Sequence, residues 1–420
     1  MLELPAYLGV FVTLGLVLAR PRLGPVFRVG PALAALVGVT VMLAFGVVDR
    51  SHISSTAGLM WRPLVAIASI MVTTGVAQRV GLLDWLASRA ELLAGGGARR
   101  LFAMVYVLGA LTAAVLNNDS AILLLTPLVI VLARRRYPAR PAILLAFIFA
   151  VFMSAGVAPL IVSNPMNMIV ASYAGIDFNQ YARVMAPIAA AGWVIGFVIL
   201  RLIFARAIKD ADQAPAVIAV QAPPSPAQKQ SLALVLIVLC AYPVVAYSGA
   251  PVWTVAVGGA ILSLVLAAKH RIETPRRILA SGISWNILAF LFAVSILGVG
   301  LRNVGVVARL SDAYARGGSI AIAVVSALGS AVVNNHPMSI MNMLAIRGVP
   351  GAGQRETLAA LIGGDIGPRL LPMGSLAGLL WLESLRRLDV KISVVRFAAI
   401  GVAVTVPTLA ASIGILYLLT

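Results

Sequence analysis

The sequence predicts an all-α polytopic membrane protein built as two inverted repeats, each with five transmembrane helices (one of them broken) and one re-entrant hairpin. Three observations lead there. Of 420 residues, 61% are hydrophobic and 11% charged, with a mean hydropathy of +1.01, whereas soluble domains carry about 25% charged residues. Apolar runs long enough to cross a bilayer recur along the chain without the alternation of a β-barrel. Two polar clusters, Asn117-Asn118-Asp119 and Asn334-Asn335-His336, interrupt apolar stretches 217 positions apart. Polar breaks at matched positions of two hydrophobic halves point to a transporter binding site.

In chain order, helix 1 is expected at Leu4–Ala19, closed by Arg20-Pro21-Arg22. It starts with no basic n-region ahead of it, so it reads as a retained span rather than a cleaved signal. Helix 2 is expected at Pro31–Val48 and helix 3 at Pro63–Val80, followed by a polar loop with Arg89, Arg99 and Arg100. The stretch 101–133 would make a single helix of about 50 Å, well beyond a bilayer core of about 30 Å. Two arms folded at the Asn-Asn-Asp break fit better. Helix 4 is expected at Ala142–Tyr173, broken at Ser163-Asn164-Pro165-Met166-Asn167, where Pro165 removes a backbone donor. Helix 5 is expected at Ala186–Phe204.

A charged, Pro/Ala-rich segment with Pro215, Pro223, Pro224 and Pro226 then reads as a cytoplasmic linker, 208–231, between a first repeat, 1–207, and a second, 232–420. The second repeat is expected to hold helices at Leu232–Tyr247, Val252–Ala268 and Trp285–Leu301, a hairpin at about 320–346, a broken helix at Thr357–Leu385 and a last helix at Val394–Leu419. Trp61, Leu64, Val80 and Gly81 match Trp285, Leu288, Val304 and Gly305, all 224 positions later, as a duplication would leave them.

An odd number of spans per half inverts the halves. On that topology 23 of the 32 Lys and Arg lie in cytoplasmic segments, Arg134, Arg135, Arg136 and Arg140 among them, and both termini face outward. The net charge of +18 is distributed as this topology signal, not as a nucleic-acid patch. A single cysteine, Cys240, excludes an intrachain disulfide and a multi-thiolate metal site. Neither a Walker A sequence nor an HExxH motif is present, so ATP hydrolysis, zincin chemistry and a bound cofactor are not expected.

The breaks supply the candidate chemistry. Lipid cannot satisfy their polar groups, so these must face protein, a water-filled cavity or a substrate. Asn117, Asn118, Asn334 and Asn335 offer uncharged amides; Ser163, Asn164, Asn167, Gly374 and Ser375 offer amides, hydroxyls and free backbone at the helix breaks. Asp119 is the leading proton carrier, because an ionised carboxylate is disfavoured at membrane depth; the plainer reading is a helix cap. His336 stands in the other hairpin where Asp119 stands in the first. Asp365 and Arg369 flank the second break and are expected to form a local ion pair. Paired aspartates, Asp119 and Asp365, would also suit an intramembrane aspartyl protease, but repeat-related helix breaks favour transport.

Asn117-Asn118-Asp119-Ser120 with Leu125-Thr126-Pro127, Asn334-Asn335-His336-Pro337-Met338, and Gly364-Asp365-Ile366-Gly367-Pro368-Arg369 running on to Leu380-Trp381-Leu382 resemble the bacterial arsenite-efflux permease family (ArsB type) of the ion transporter superfamily. The resemblance covers essentially the whole chain, with Arg369 where a lysine is commoner and His336 where an apolar residue is expected. It implies the superfamily fold and proton-driven export of arsenite and antimonite across the bacterial inner membrane by an elevator-type movement. A homodimer and, in some relatives, a soluble arsenite-stimulated ATPase partner are also implied. A sodium-coupled dicarboxylate or sodium/proton carrier of the same superfamily is the alternative.

Overall fold

A computed structural model describes residues 2–19, 21–23, 27–138, 140–212 and 223–420. Arg20 and Pro215, which entered the topology and linker arguments, lie outside them. Helix α1 (Glu3–Ala19) precedes a short antiparallel ribbon, β1 (Arg22–Leu23) on β2 (Phe27–Arg28), and α2 (Pro31–Ala44). Helix α3 (Arg50–Arg79) begins well ahead of the expected Pro63, which sits inside it. The reason is a capping box: an Asp49 oxygen accepts from the His52 N–H at 3.0 Å while the His52 ring faces the Asp49 N–H at 3.3 Å.

The expected polar loop after it is instead an amphipathic helix, α4 (Leu82–Leu93), launched from Gly81 at φ 71°. Its Glu91 is buried and pairs with Arg135 at 2.6 Å and Arg136 at 3.4 Å. Helices α5 (Ala98–Val115) and α6 (Asn118–Arg136) form the first hairpin. Helix α7 (Pro141–Ser154), a 3-10 turn at Ile161–Ser163 and α8 (Pro165–Ala174) form the first broken helix, and α9 (Phe178–Ile203) closes the half. The expected linker is helical at both ends, in α10 (Ala205–Asp212) and α11 (Pro226–Tyr247), the second of which Ser225 starts by making a capping box with Gln228.

Then come α12 (Trp253–Lys269), an unforeseen short α13 (Pro275–Gly282) and α14 (Trp285–Asn303). Within α15 (Val306–Val333) the backbone leaves helical geometry at Gly318 (φ 59°), so two helices meet there at a kink, and the first arm of the second hairpin with α16 (Asn335–Ile346) starts at 319, beside the expected 320. The second broken helix is α17 (Gln354–Ile366), two 3-10 turns at Gly367–Arg369 and Pro372–Gly374, and α18 (Leu376–Arg387); α19 (Val394–Leu419) ends the chain. Seven of the described helices, α3, α5, α9, α11, α14, α15 and α19, are long and apolar enough to cross a membrane, and α1, α2, α7 and α12 are shorter apolar helices.

From α14 to α19 the order of elements seen from α3 to α9 recurs, with the same backbone devices at the same joints. Gly81 and Gly305 both launch their helices from the left-handed region, at φ 71° and 80°. Asn117 and Asn334 both turn the hairpins, at φ 139° and 83°. Hairpin α5–α6 packs on α7, α15 packs on α17, and α9 packs on α19.

Polar contacts sort the connecting segments into two groups. Arg79 meets Glu273 at 2.5 Å, Arg99 meets Asp212 at 3.5 Å, and Arg134 donates to the Leu388 carbonyl. At the other ends, Arg309 meets Glu3 at 3.8 Å and Arg355 donates to the Thr420 hydroxyl at 2.8 Å. On the topology expected from the positive charges, the segments of Arg79, Arg99, Arg134, Asp212, Glu273 and Leu388 are cytoplasmic and those of Glu3, Arg309, Arg355 and Thr420 are outer, so each contact joins segments expected on one face.

Candidate functional site: two crossed helix breaks

Each hairpin turns on an asparagine in a backbone region that side chains other than glycine's rarely adopt. Such positions cost of order 1–3 kcal/mol and persist only where their surroundings fix them. Asn117 Oδ1 accepts from the Ser120 N–H at 2.7 Å, and Asn334 Oδ1 accepts from the His336 N–H at 3.2 Å, so each asparagine is the N-cap of its second arm. The cap of the first hairpin is therefore Asn117, not Asp119. The Asp119 carboxylate is half-buried and has no hydrogen-bond or ionic partner among the described residues.

Each tip is tied to its own half's broken helix. In the first half, Asn118 Nδ2 donates to the Gly156 carbonyl at 3.3 Å, and Ser163 Oγ donates to the Ala114 carbonyl at 2.6 Å. In the second, Asn334 Nδ2 donates to the Met373 carbonyl at 3.3 Å. A Cβ on Gly374 would lie 3.0 Å from the Ser330 carbonyl oxygen and 2.8 Å from Pro368 Cα, so a side chain there would separate break and hairpin. Asn164 caps α8 by accepting from the Met166 N–H at 3.0 Å; Ser375 caps α18 through the Gly378 N–H at 2.9 Å.

The two breaks then cross. The buried Asp365 carboxylate, at the end of α17, accepts from the Ala158 N–H at 2.9 Å, Asn164 Nδ2 at 2.7 Å and Asn167 Nδ2 at 2.8 Å. All three donors belong to the first broken helix. Three N–H groups on one carboxylate are charge-assisted bonds, the strong kind in a dry interior. Asn167 also donates to the Tyr181 hydroxyl at 2.6 Å, which donates to the Ala158 carbonyl at 2.9 Å. Polar contacts thus tie each hairpin tip to its own break and the first break to Asp365 at the second.

The expected ion pair between Asp365 and Arg369 does not form. Helix α17 gives way to a tighter 3-10 turn at Gly367, which points the two side chains to different neighbours. Arg369, 1% exposed, donates Nη2 to the Met153 carbonyl at the end of α7 instead, leaving Nε and Nη1 without hydrogen-bond partners among the described residues. Gly156 admits the guanidinium, because a Cβ there would collide with Nη2.

His336 and Asp119 prove unlike. His336 is 1% exposed, its Nδ1 lies 3.0 Å from Asn334 Oδ1, and its ring meets Phe290 edge-on. An amide oxygen accepts only, so Nδ1 carries the proton. Nε2 and the neighbouring Asn335 Oδ1 have no hydrogen-bond partner among the described residues.

Comparison with known proteins bears on the whole chain. The arsenical pump membrane protein family model (ArsB) matches residues 6–420. The chain belongs to the arsenical pump membrane protein family. This is a family of membrane transporters, not enzymes. The arsenical pump membrane protein of Escherichia coli K12 is 31% identical over 426 residues, covering 98% of this chain and 97% of the relative. That of Yersinia enterocolitica is 30% identical over 401 residues, covering 92% of each. Among solved structures, the Alcanivorax borkumensis YdaH transporter superposes with a TM-score of 0.55 at 15% identity over 99% of this chain and 98% of its own. Neisseria gonorrhoeae MtrF, described as one of a class of antimetabolite efflux pumps, gives 0.54 at 14% identity, covering 98% and 94%. These two share the fold with this arsenical pump family member.

Three participants at the crossing carried no signal of their own in the sequence. Tyr181 lies four residues beyond the helix-capping Asp177 in an amphipathic helix and reads there as core. Gly156 and the Met153 carbonyl, the seat of Arg369, are backbone features without a side-chain signature.

Proposed function

We propose that this protein exports arsenite and antimonite from the cytoplasm in exchange for inward-moving protons. Arsenite near neutral pH is an uncharged trihydroxide, and amides, hydroxyls and helix ends suit such a ligand. Asn117, Asn118, Ser163, Asn164, Asn167, Asn334, Asn335, Gly374 and Ser375 are the proposed binding groups. Thiol chelation is not the recognition mode, since Cys240 is exposed on α11. A neutral cargo leaves coupling to a titrating group. The observation that carries this reading is Asp119, a half-buried carboxylate beside the hairpin tip with no hydrogen-bond or ionic partner among the described residues. Asp365 is the second carrier, with Arg369 and His336 in supporting roles.

The proposed organisation is two inverted repeats, 1–207 and 232–420, in the bacterial inner membrane with both termini outside, working as an elevator. A homodimer and a soluble ATPase partner complete the proposal. The grouping of surface contacts supports the orientation, since Glu3 and Thr420 both meet segments assigned to the outer face. One observation favours a sodium-coupled carboxylate carrier instead: the buried Arg369 offers two free N–H positions to an anion. The deciding test is the arsenite sensitivity of cells lacking their own exporter. Resistance conferred by this gene supports the proposal; unchanged sensitivity together with sodium-dependent dicarboxylate uptake supports the other.

A further inference from the structure

Two cavities that none of these roles uses meet behind the first break. The outer one, about 270 Å³, lies between α3, α8, the start of α9 and the exposed α11–α12 turn, Gly249-Ala250-Pro251. The inner one is only about 30 Å³, and its wall includes Val115 and Leu116, immediately before the tip asparagine. Val162 and Tyr242 line both. Tyr242 is stacked on Phe178 with ring centroids 5.3 Å apart, which holds it at the junction.

Three buried polar atoms here lack a hydrogen-bond partner among the described residues. The Tyr242 hydroxyl, 3% exposed, and the Thr74 hydroxyl, 5% exposed, have none, and Tyr242 faces both cavities while Thr74 faces the inner one. Trp253 Nε1, on the outer cavity, has none either. Buried hydroxyls normally find partners, and leaving one unpaired is unfavourable. The charges are arranged just as unevenly. The outer cavity has one of each sign, Arg62 and Asp177, whereas among the residues lining the inner one no carboxylate, Lys, Arg or His is found. A charged solute passing inward would lose its hydration with no counter-charge to replace it.

We propose that these cavities are an access route between the α11–α12 turn and the tip of the first hairpin, and that the hydroxyls of Tyr242 and Thr74 bind a small uncharged polyhydroxylated solute along it. The identity of that solute as arsenite rests on the function proposed above; the route itself does not. On the proposed orientation the route is the exit. Tyr242 is then a gate whose hydroxyl exchanges its missing partner for a hydroxyl of the cargo.

Two measurements test this. Tyr242→Phe and Thr74→Val remove hydroxyls that hold no partner among the described residues, so melting in detergent should stay level or rise. Arsenite flux in vesicles should fall about fivefold for each, the worth of one neutral hydrogen bond. Unchanged flux overturns the binding role. The second readout needs no arsenite. In a Cys240→Ala background, Ala246→Cys on the outer cavity and Val115→Cys on the inner one should both react with a small water-soluble thiol reagent. Adding Tyr242→Trp should abolish reaction at Val115→Cys and spare Ala246→Cys. No reaction at either position, or reaction at Val115→Cys that ignores the tryptophan, overturns the route. If wild-type vesicles carry no arsenite while the labelling pattern holds, the cargo assignment fails and the route stands.

Discussion

Asn164 donates its side-chain amide to Asp365 over 2.7 Å, so the gap in one broken helix is closed by the carboxylate at the gap of the other. With Asn167 and the Ala158 N–H completing the set, Asp365 spends its acceptor capacity on the opposite half of the chain.

Asp365→Asn should therefore damage both stability and transport. An asparagine has one acceptor oxygen, and its NH2 would face donors, so at least one buried N–H loses its partner. That loss costs about 1–3 kcal/mol. The expected result is a lower melting temperature in detergent together with loss of export. A variant that melts like the parent would show that the three donors are not holding a carboxylate.

Asp119→Asn should separate the two readouts. Asp119 has no partner to lose among the described residues, so the melting temperature should hold. Export driven by a pH gradient in vesicles should stop. Full export with Asn at 119 removes this residue from the proton path.

Gly156→Ala should cost more than a glycine change elsewhere. A methyl group at 156 meets the Arg369 guanidinium, and forced overpacking of this kind costs about 1–3 kcal/mol. Gly15→Ala, where nothing lies within 4 Å, should instead be neutral or mildly stabilising, since alanine suits a helix interior better than glycine. Paired thermal melts give the comparison.

The start of α3 should depend on pH. Bonds from the Ser51 hydroxyl and the His52 N–H hold the Asp49 carboxyl down to about 2 from an ordinary 3.8. The folded value is depressed, so the cap's contribution is complete above 3.8 and is lost as pH falls through about 2. Amide exchange in the first turn of α3 should be slower in the parent than in Asp49→Ala at pH 5, and the two should converge near pH 2. A difference that persists at pH 2 would show that the carboxylate is not the cap.

Hydropathy and the asparagine doublets were enough to place the hairpins. Nothing but a tight polar turn fits Asn117-Asn118 inside an apolar run too long for one crossing, and the final helix, Val394–Leu419, is found where the sequence placed it. Short amphipathic pieces were less visible. Helix α4 looked like a loop because Asp84, Arg89 and Glu91 break its apolar pattern, and the partners that bury Glu91, Arg135 and Arg136, sit on a different helix. The extension of α3 was hidden by Ser51, His52, Ser54 and Ser55, which read as loop until the cap at Asp49 is seen. At the crossing the residue types were legible but their pairing was not. Asp365 and Arg369, four apart, invite an ion pair on paper, and only the 3-10 turn at Gly367 shows why each reaches across to α7 and α8 instead.

Because the carboxylate of the later half is seated by N–H groups of the earlier one, a later half made alone would leave that carboxylate without its donors. Two polypeptides made by dividing the gene within codons 213–222 would hold the donors on one piece and the carboxylate on the other, so transport should require both to be expressed together. Inherited change would be bound by the same dependence: a replacement at Asn164 or Asn167 has to be answered at Asp365, on the far side of the duplication.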